Sequence, residues 1–207
     1  MEARHRLQAL PGVSRETFDL LDCFAQELTQ WQARINLVSP TTLSDLWSRH
    51  ILDSAQLHAL APHARYWCDL GSGGGLPGLV LACVFKDKPG RHIHLVESNG
   101  KKAAFLRHVA TKLALPATVH AKRIEDVTPL LQGVDIVTAR ALAPLSDLLT
   151  YTSSLLISGT VGLFPKGRDV EVELTDALKS WHFKATLFES FTSVDARIVE
   201  VRELQRR

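Results

Sequence analysis

From Arg65 onward, short β-rich runs alternate with helical segments, and this alternation restricts the fold more than any other feature of the sequence. Seven β-rich runs are predicted, at 66–70, 93–97, 118–120, 136–139, 161–165, 185–188 and 197–201. Alternating β and α segments build a mostly parallel sheet with helices on both faces. The sequence therefore predicts an α/β fold with a doubly wound, mostly parallel seven-stranded sheet.

The residues before this alternation predict an N-terminal helical cap. Ser14 has the position of an N-cap, and apolar residues then recur at three- and four-residue spacing, which predicts a helix over 15–34. A second helix is predicted over 43–60, between Pro40 and Pro62. We expect residues 1–62 to form a helical extension and residues 63–207 to form the main domain, the two together making one compact unit.

Composition and charge exclude several classes of protein. The chain has 207 residues, 45% of them hydrophobic, which is enough for a core of its own. The longest apolar run, Leu79 to Phe85, is too short to cross a bilayer, and the start of the chain has no secretory signal. We expect a soluble, cytoplasmic monomer. The formal net charge of +2 permits a polyanionic partner without requiring one.

The cysteine and histidine patterns predict neither disulfides nor a metal site. Cys23, Cys68 and Cys83 are odd in number and widely spaced among apolar neighbours, so we expect all three to be reduced core residues. His92 and His94 lie on one side of a strand, but no third ligand is evident. We predict that the protein has no resident metal.

A glycine-rich loop follows the first predicted strand and precedes a helix. The segment 69–78 reads DLGSGGGLPG, and its glycines allow a tight turn and a close approach of the backbone to a ligand. A P-loop needs a lysine directly after its last glycine, but Gly75 is followed by Leu76 and Pro77, so a P-loop is excluded. Gly73, Gly75 and Gly78 do satisfy the dinucleotide-binding pattern G-x-G-x-x-G, which keeps a nicotinamide cofactor as an alternative.

Two residues of this loop favour a cationic ligand over a pyrophosphate. The carboxylate of Asp69 repels a phosphate but attracts the ammonium and sulfonium groups of S-adenosylmethionine. Pro77 lacks the N–H that anion binding at a helix N-terminus uses. The second strand ends in Glu97-Ser98, where the acidic side chain of Glu97 can accept hydrogen bonds from both ribose hydroxyls of an adenosine. Ile124, after the third strand, is placed to line an adenine.

With these residues in view, the chain resembles the bacterial 16S rRNA guanine-N7 methyltransferases, the RsmG or GidB family. Beyond the glycine loop, the resemblance rests on pieces that occur in the family's order between about 31 and 167: Asn36-Leu37, Arg49 to Ser54 (RHILDS), Glu97-Ser98, Lys101-Lys102, Phe105-Leu106, Arg123 to Glu125, Arg140-Ala141 and Lys166-Gly167. Two positions depart from the family pattern. Glu97 stands where aspartate is common, and Gly74 where proline is frequent.

The resemblance implies a class I methyltransferase fold. It also implies that the protein transfers a methyl group from S-adenosylmethionine to N7 of a guanine in 16S rRNA, guanine 527. It implies that the cofactor contacts Gly71, Leu76, Ile124, Glu125 and Arg140. With the residues argued above, the predicted cofactor site comprises Asp69, Gly71, Ser72, Gly73, Gly75, Leu76, Glu97, Ser98, Ile124, Glu125 and Arg140.

The predicted partner is 16S rRNA or the small ribosomal subunit. The candidates for RNA contact are Arg49, His50, Lys101, Lys102, Arg123 and Lys166. Guanine N7 attacks through a lone pair and carries no proton, so the reaction needs no general base, and catalysis by positioning is expected. We name no certain catalytic residue, and Arg140 is the candidate.

Two alternatives remain at this point. A nicotinamide-dependent oxidoreductase would bind NAD and not S-adenosylhomocysteine. A ribosome-assembly or RNA-binding factor that retains the cofactor pocket would bind the ligand without turnover.

Overall fold

A computed structural model describes residues 2–207 and contains one seven-stranded sheet. The strands are β1 (Tyr66–Leu70), β2 (His92–Val96), β3 (Ala117–His120), β4 (Ile136–Thr138), β5 (Val161–Lys166), β6 (Trp181–Glu189) and β7 (Arg197–Arg206). Their order is β3-β2-β1-β4-β5-β7-β6. Only β7 runs antiparallel to its neighbours, β5 and β6. The predicted fold class is confirmed.

The order of the strands reverses between β1 and β4, and this reversal positions the site. From β1 the chain builds outward to β2 and β3, then returns to add β4 on the other side of β1. Asp69 and Thr138 are register neighbours at the carboxyl ends of these two strands. Ligands of open α/β sheets bind at such a switch point, beyond the carboxyl ends of the strands.

Helices cover both faces of the sheet and are, in chain order, α1 (Glu2–Gln8), α2 (Arg15–Gln32), α3 (Asp53–Leu60), α4 (Gly78–Phe85), α5 (Gly100–Lys112), α6 (Ile124–Val127), α7 (Leu145–Ile157) and α8 (Val170–Ala177). Residues of α1 to α5 share one buried cluster with one face of the sheet. Residues of α7 and α8 pack on the other face. The N-terminal helices thus share a core with the sheet, and the predicted boundary near residue 62 stays a prediction.

The predicted first helix is present as α2, and its sequence explains why. The Ser14 side chain accepts a hydrogen bond from the Thr17 amide at 3.1 Å, so Ser14 is the N-cap, as predicted. Leu21, Phe24 and Leu28 form the buried stripe. Fully burying each such side chain contributes roughly 1.5–3 kcal/mol, so this stripe fixes α2 on the body of the protein.

The predicted second helix is replaced by three consecutive helical segments. A 3₁₀ segment, Pro40–Asp45, leads into a π-helical turn, Leu46–Leu52, and α3 follows from Asp53. The wider π turn contains His50 and ends one residue before Asp53. Both side chains contact Arg140, which follows β4. Single π turns are often found at functional sites.

In the N-terminal region one cysteine prediction is wrong, and one helix was not predicted. Cys23 is exposed, because it lies on the polar side of α2 with Asp19 and Gln26, whereas Cys68 and Cys83 are buried as predicted. Helix α1 was not predicted, because Leu7 is its only buried residue and gives no apolar periodicity. Within residues 2–207, no helix is long and apolar enough to cross a membrane.

Candidate functional site

The glycine loop joins β1 to α4, and its backbone makes a tight turn between them. Gly71, Gly73 and Gly75 have φ values of 65°, 51° and 80°, which L side chains adopt only with strain. The Ser72 amide donates to the carbonyl of Val96 at 3.0 Å and so ties the loop to the end of β2. The prediction of a tight turn between strand and helix is confirmed.

Asp69 lies fully buried at the base of this loop. Its Oδ2 accepts the Gly78 amide at 3.0 Å, a contact that a side chain at 78 would block, since a Cβ there would lie 2.6 Å from Oδ2. Its Oδ1 has no hydrogen-bond partner among residues 2–207. Burial raises the pKa of Asp69 to about 7, opposed by the hydrogen bond from the Gly78 amide.

The unpaired oxygen of Asp69 fits a cationic ligand. Buried polar atoms are normally hydrogen-bonded, and an exception requires a cause. Thr138 Oγ1, on the neighbouring strand, is a second buried atom without a partner in the described chain. An ammonium group beside Asp69 would satisfy Oδ1 and favour the carboxylate. These residues suit the amino acid portion of S-adenosylmethionine better than a phosphate.

Glu97 joins the glycine loop to the start of α5. Its Oε2 accepts the Gly73 amide at 2.9 Å, and its Oε1 accepts the Asn99 amide at 2.7 Å. The side chain of Asn99 in turn caps α5 by accepting the amides of Lys101 and Lys102. Asn99 was missed by the sequence reasoning, although an asparagine before the first helical residue is a recognisable N-cap.

The other predicted cofactor residues surround this loop unevenly. Leu76 and Ser72 are buried, and Ile124 is half-buried at the start of α6. Ser98 and Glu125 are exposed. The structure brings Asp69, the glycine loop and Glu97 together, while the roles predicted for Ile124, Ser98 and Glu125 stay predictions.

Arg140 follows β4 and binds the N-terminal helices. Its Nη2 donates to His50 Nδ1 at 2.8 Å, and its Nη1 donates to the carbonyl of Arg49 at 3.0 Å. Nη1 also pairs with Asp53 at 3.3 Å. With Nδ1 accepting, His50 Nε2 is the nitrogen that donates to Thr42 Oγ1, 2.8 Å away. Burial and two neighbouring arginines lower the pKa of His50 to about 4.

Asp53 connects Arg140 to the loop between β6 and β7. Its Oδ2 faces Arg140, while its Oδ1 accepts hydrogen bonds from Thr192 Oγ1 at 2.9 Å and from the side-chain Nε2 of Gln56 at 2.8 Å. The side-chain Oε1 of Gln56 accepts a hydrogen bond from the Phe191 amide at 2.8 Å. Asp53 was not predicted as a site residue, because Arg140 and Thr192 lie 87 and 139 residues away from it in the sequence.

A cleft of about 670 Å³ opens beside these contacts, at the carboxyl ends of β4 and β5. Its lining includes five cationic side chains, from Arg49, Arg140, Lys166, Arg168 and Arg197. It meets the glycine loop at Leu142, which lines the cleft and whose Cδ1 would lie 2.7 Å from a Cβ added to Gly71. The cleft therefore adjoins the predicted cofactor site.

The predicted RNA-contact residues are not gathered in one place. Arg49 and Lys166 line the cleft. Lys101, Lys102 and Arg123 lie near the ends of β2 and β3 and are outside the cleft lining that the described chain forms. Lys166 is nearly buried, with its ammonium 2.7 Å from Glu173 and 2.8 Å from the carbonyl of Ala143.

The histidines of β2 interact with each other and with β3. His94 Nδ1 lies 3.0 Å from His120 Nε2, and burial lowers the pKa of His94 to about 4. Across the part of the chain that the structure describes, no group of three or more histidine, cysteine or acidic residues is arranged to hold a metal ion.

The fold and the site define a class I, S-adenosylmethionine-dependent methyltransferase. Among solved structures, a mutant of MtNAS in complex with S-adenosylmethionine has a similar fold, with a TM-score of 0.59, 15% identity and coverage of 98% of this chain and 83% of that one. TrmN from Thermus thermophilus gives a TM-score of 0.54 at 19% identity, covering 76% and 49%.

Residues 18–202 match the family described as rRNA small subunit methyltransferase G, GidB, and the chain belongs to this family. Relatives named ribosomal RNA small subunit methyltransferase G are 51% identical in Methylorubrum populi, covering 99% of this chain and 97% of the relative, and 48% identical in Bartonella tribocorum, covering 96% and 93%. The predicted family, the methyltransferase class and S-adenosylmethionine as cofactor are confirmed.

Proposed function

We propose that this protein transfers the methyl group of S-adenosylmethionine to N7 of a guanine in 16S rRNA, guanine 527 by family resemblance. The observation that carries the proposal is membership of the small-subunit rRNA methyltransferase family over residues 18–202. The structure adds a cation-lined cleft that meets the glycine loop at Leu142. An acceptor nucleotide in this cleft would lie next to the cofactor.

In this proposal the residues of the cofactor site hold and orient S-adenosylmethionine. Bound S-adenosylmethionine supplies an electrophilic methyl group. The Asp69 carboxylate receives the ammonium at its unpaired Oδ1, and Glu97 holds the ribose with its remaining lone pairs. Ile124 lines the adenine. Ser98 and Glu125 are assigned to the same site, at its exposed edge.

No proton transfer is required before methyl transfer, because N7 of guanine is a lone-pair acceptor. Alignment of the acceptor and the methyl carbon can supply about 7–11 kcal/mol of the barrier. Arg140 is held by His50 and Asp53 next to Leu142, where it positions the acceptor side of the site. His50 stays neutral at physiological pH, since its pKa is lowered to about 4.

The experiment supplies methyl-labelled S-adenosylmethionine and small ribosomal subunits that lack the modification, then maps the label by cleavage at N7-methylguanine. Label at a single 16S guanine is the expected result. Label at a different atom or base would overturn the N7 assignment. S-adenosylhomocysteine binding without any label would favour an assembly factor instead. The proposal takes the enzyme as cytoplasmic and monomeric, and size-exclusion chromatography tests the oligomeric state.

A further inference from the structure

The cations that line the cleft fall into two groups. Arg140 and Lys166 are engaged inside the fold, with Asp53 and Glu173 respectively as their acidic partners. Arg197 donates through Nη1 to the carbonyls of Val194 and Ala196, in the loop that precedes β7. Recruiting any of these three for a new ligand would break contacts that already satisfy them.

Arg49 and Arg168 are different. Both are exposed, and neither side chain forms an ion pair or hydrogen bond with any residue in 2–207. Arg49 comes from the π turn before α3, and Arg168 from the loop after β5, so two separate elements supply them. Their guanidinium groups are therefore available without the loss of existing contacts.

The acidic residues of the cleft do not cancel this charge. Asp53 and Glu173 are neutralised by Arg140 and Lys166. Asp195 is the remaining acid of the lining that the described residues form. The cleft therefore keeps an excess of positive charge, and its apolar lining, which includes Leu142, offers a surface for a base.

We propose that Arg49 and Arg168 bind RNA phosphates on either side of the nucleotide that enters the cleft. The inference rests on the proposed function and adds the residues that hold the RNA backbone. A guanidinium group matches a phosphate with two parallel hydrogen bonds, and this contact is independent of base sequence. Arg140 and Lys166 take no part in phosphate binding and instead keep the cleft in shape.

The test compares Arg49→Gln, Arg168→Gln and the double variant with Arg107→Gln, an exposed arginine of α5 outside the cleft. Dissociation constants for protein-free, unmodified 16S rRNA are measured over a range of KCl concentrations. Each single cleft variant is expected to reduce the slope of log affinity against log salt by about 0.7, which corresponds to about a fourfold loss at 0.15 M salt, and the double variant by about 1.4, or about a 14-fold loss. Arg49→Lys is expected to retain the slope.

Two further measurements keep the result interpretable. Affinity for S-adenosylhomocysteine and the unfolding temperature are expected to be unchanged, because both arginines are exposed. With small subunits as substrate, KM is expected to rise while kcat stays within about twofold. A salt slope equal to that of Arg107→Gln would overturn the phosphate assignment while leaving the methyl transfer intact. If the unaltered protein does not methylate N7, the proposed function fails, but the salt slopes still decide the role of the two arginines.

Discussion

The two halves of the sheet's carboxyl edge are built in different ways. At β1 and β2 the site consists of backbone turns and two buried carboxylates, Asp69 and Glu97, all contributed by residues 69–99. At β4 and β5 it consists of side chains that reach between distant parts of the chain, with Asp53 between Arg140 and Thr192. The first half, here called the cofactor half, suits a small ligand of constant structure. The second half, the acceptor half, suits a large partner that is bound by charge.

The largest expected effect is on the cofactor half, from Gly78→Ala. A Cβ at 78 would lie 2.3 Å from Leu95 and 2.6 Å from Asp69 Oδ2, so the loop has to move. We expect a loss of unfolding free energy of about 3 kcal/mol and no measurable S-adenosylmethionine binding. Gly100→Ala is the matched control, because nothing lies within 4 Å of its Cβ and it begins α5. Denaturant unfolding checks both, and equal stabilities would show that the loop is not tightly packed.

Asp69→Asn separates charge from shape in the same half. The amide still accepts from Gly78 but presents neutral, donating hydrogens where Oδ1 stood, so the affinity for S-adenosylmethionine is expected to fall about 30-fold. Stability should not fall, because the raised pKa of about 7 means that the fold already favours the neutral acid. Calorimetry measures the affinity, and an unchanged value contradicts the charge role.

The same residue gives the cofactor half a pH dependence. Below pH 7 unliganded Asp69 takes up a proton, so affinity for the cationic cofactor should rise between pH 6 and pH 8. The stability of the unliganded protein should change in the opposite direction, because the folded state binds the extra proton between about pH 4 and pH 7 and loses that advantage as pH rises. Both trends should disappear in Asp69→Asn.

Asp53→Asn tests the acceptor half. It removes the charge opposite Arg140 while keeping an oxygen for Thr192, so we expect kcat/KM on small subunits to fall about tenfold. Affinity for S-adenosylhomocysteine should be retained, because the cofactor half does not contain this residue. Asp45→Asn is the control, because Asp45 is an exposed carboxylate. Loss of cofactor affinity in Asp53→Asn would show that the two halves are coupled.

The smallest effect is expected at His50. Its pKa is lowered to about 4, so the unfolded chain binds more protons between pH 4 and pH 6.5, and stability should rise with pH over that range. His50→Gln keeps an acceptor for Arg140 and removes the titration. Thermal unfolding at pH 4.5 and pH 7 measures the difference, and an equal pH dependence in both proteins would refute this assignment.

The sequence predicted local features better than distant ones. Alternating segments and the strand-loop-helix position of the glycines were sufficient for the sheet and the loop, because these depend on neighbouring residues. Arg140 and His50 were both selected as site residues, but the hydrogen bond between them could not be predicted, since they are 90 residues apart and hydrophobic patterning says nothing about polar pairs. The RNA contact of Lys166 stays a prediction, and its ion pair with Glu173 joins two different elements, β5 and α8, which hydrophobic patterning does not reveal.

Asp53 and Gln56 accept hydrogen bonds from the loop at 190–192, and this has a consequence for the order in which the two halves are synthesised. At synthesis rates of roughly 5–20 residues per second, Thr192 emerges about 7–28 s after Asp53. The glycine loop and the strands beside it are synthesised within that interval, whereas the acceptor cleft lacks one wall until its end. The cofactor half of the site is therefore synthesised before the acceptor half can be completed.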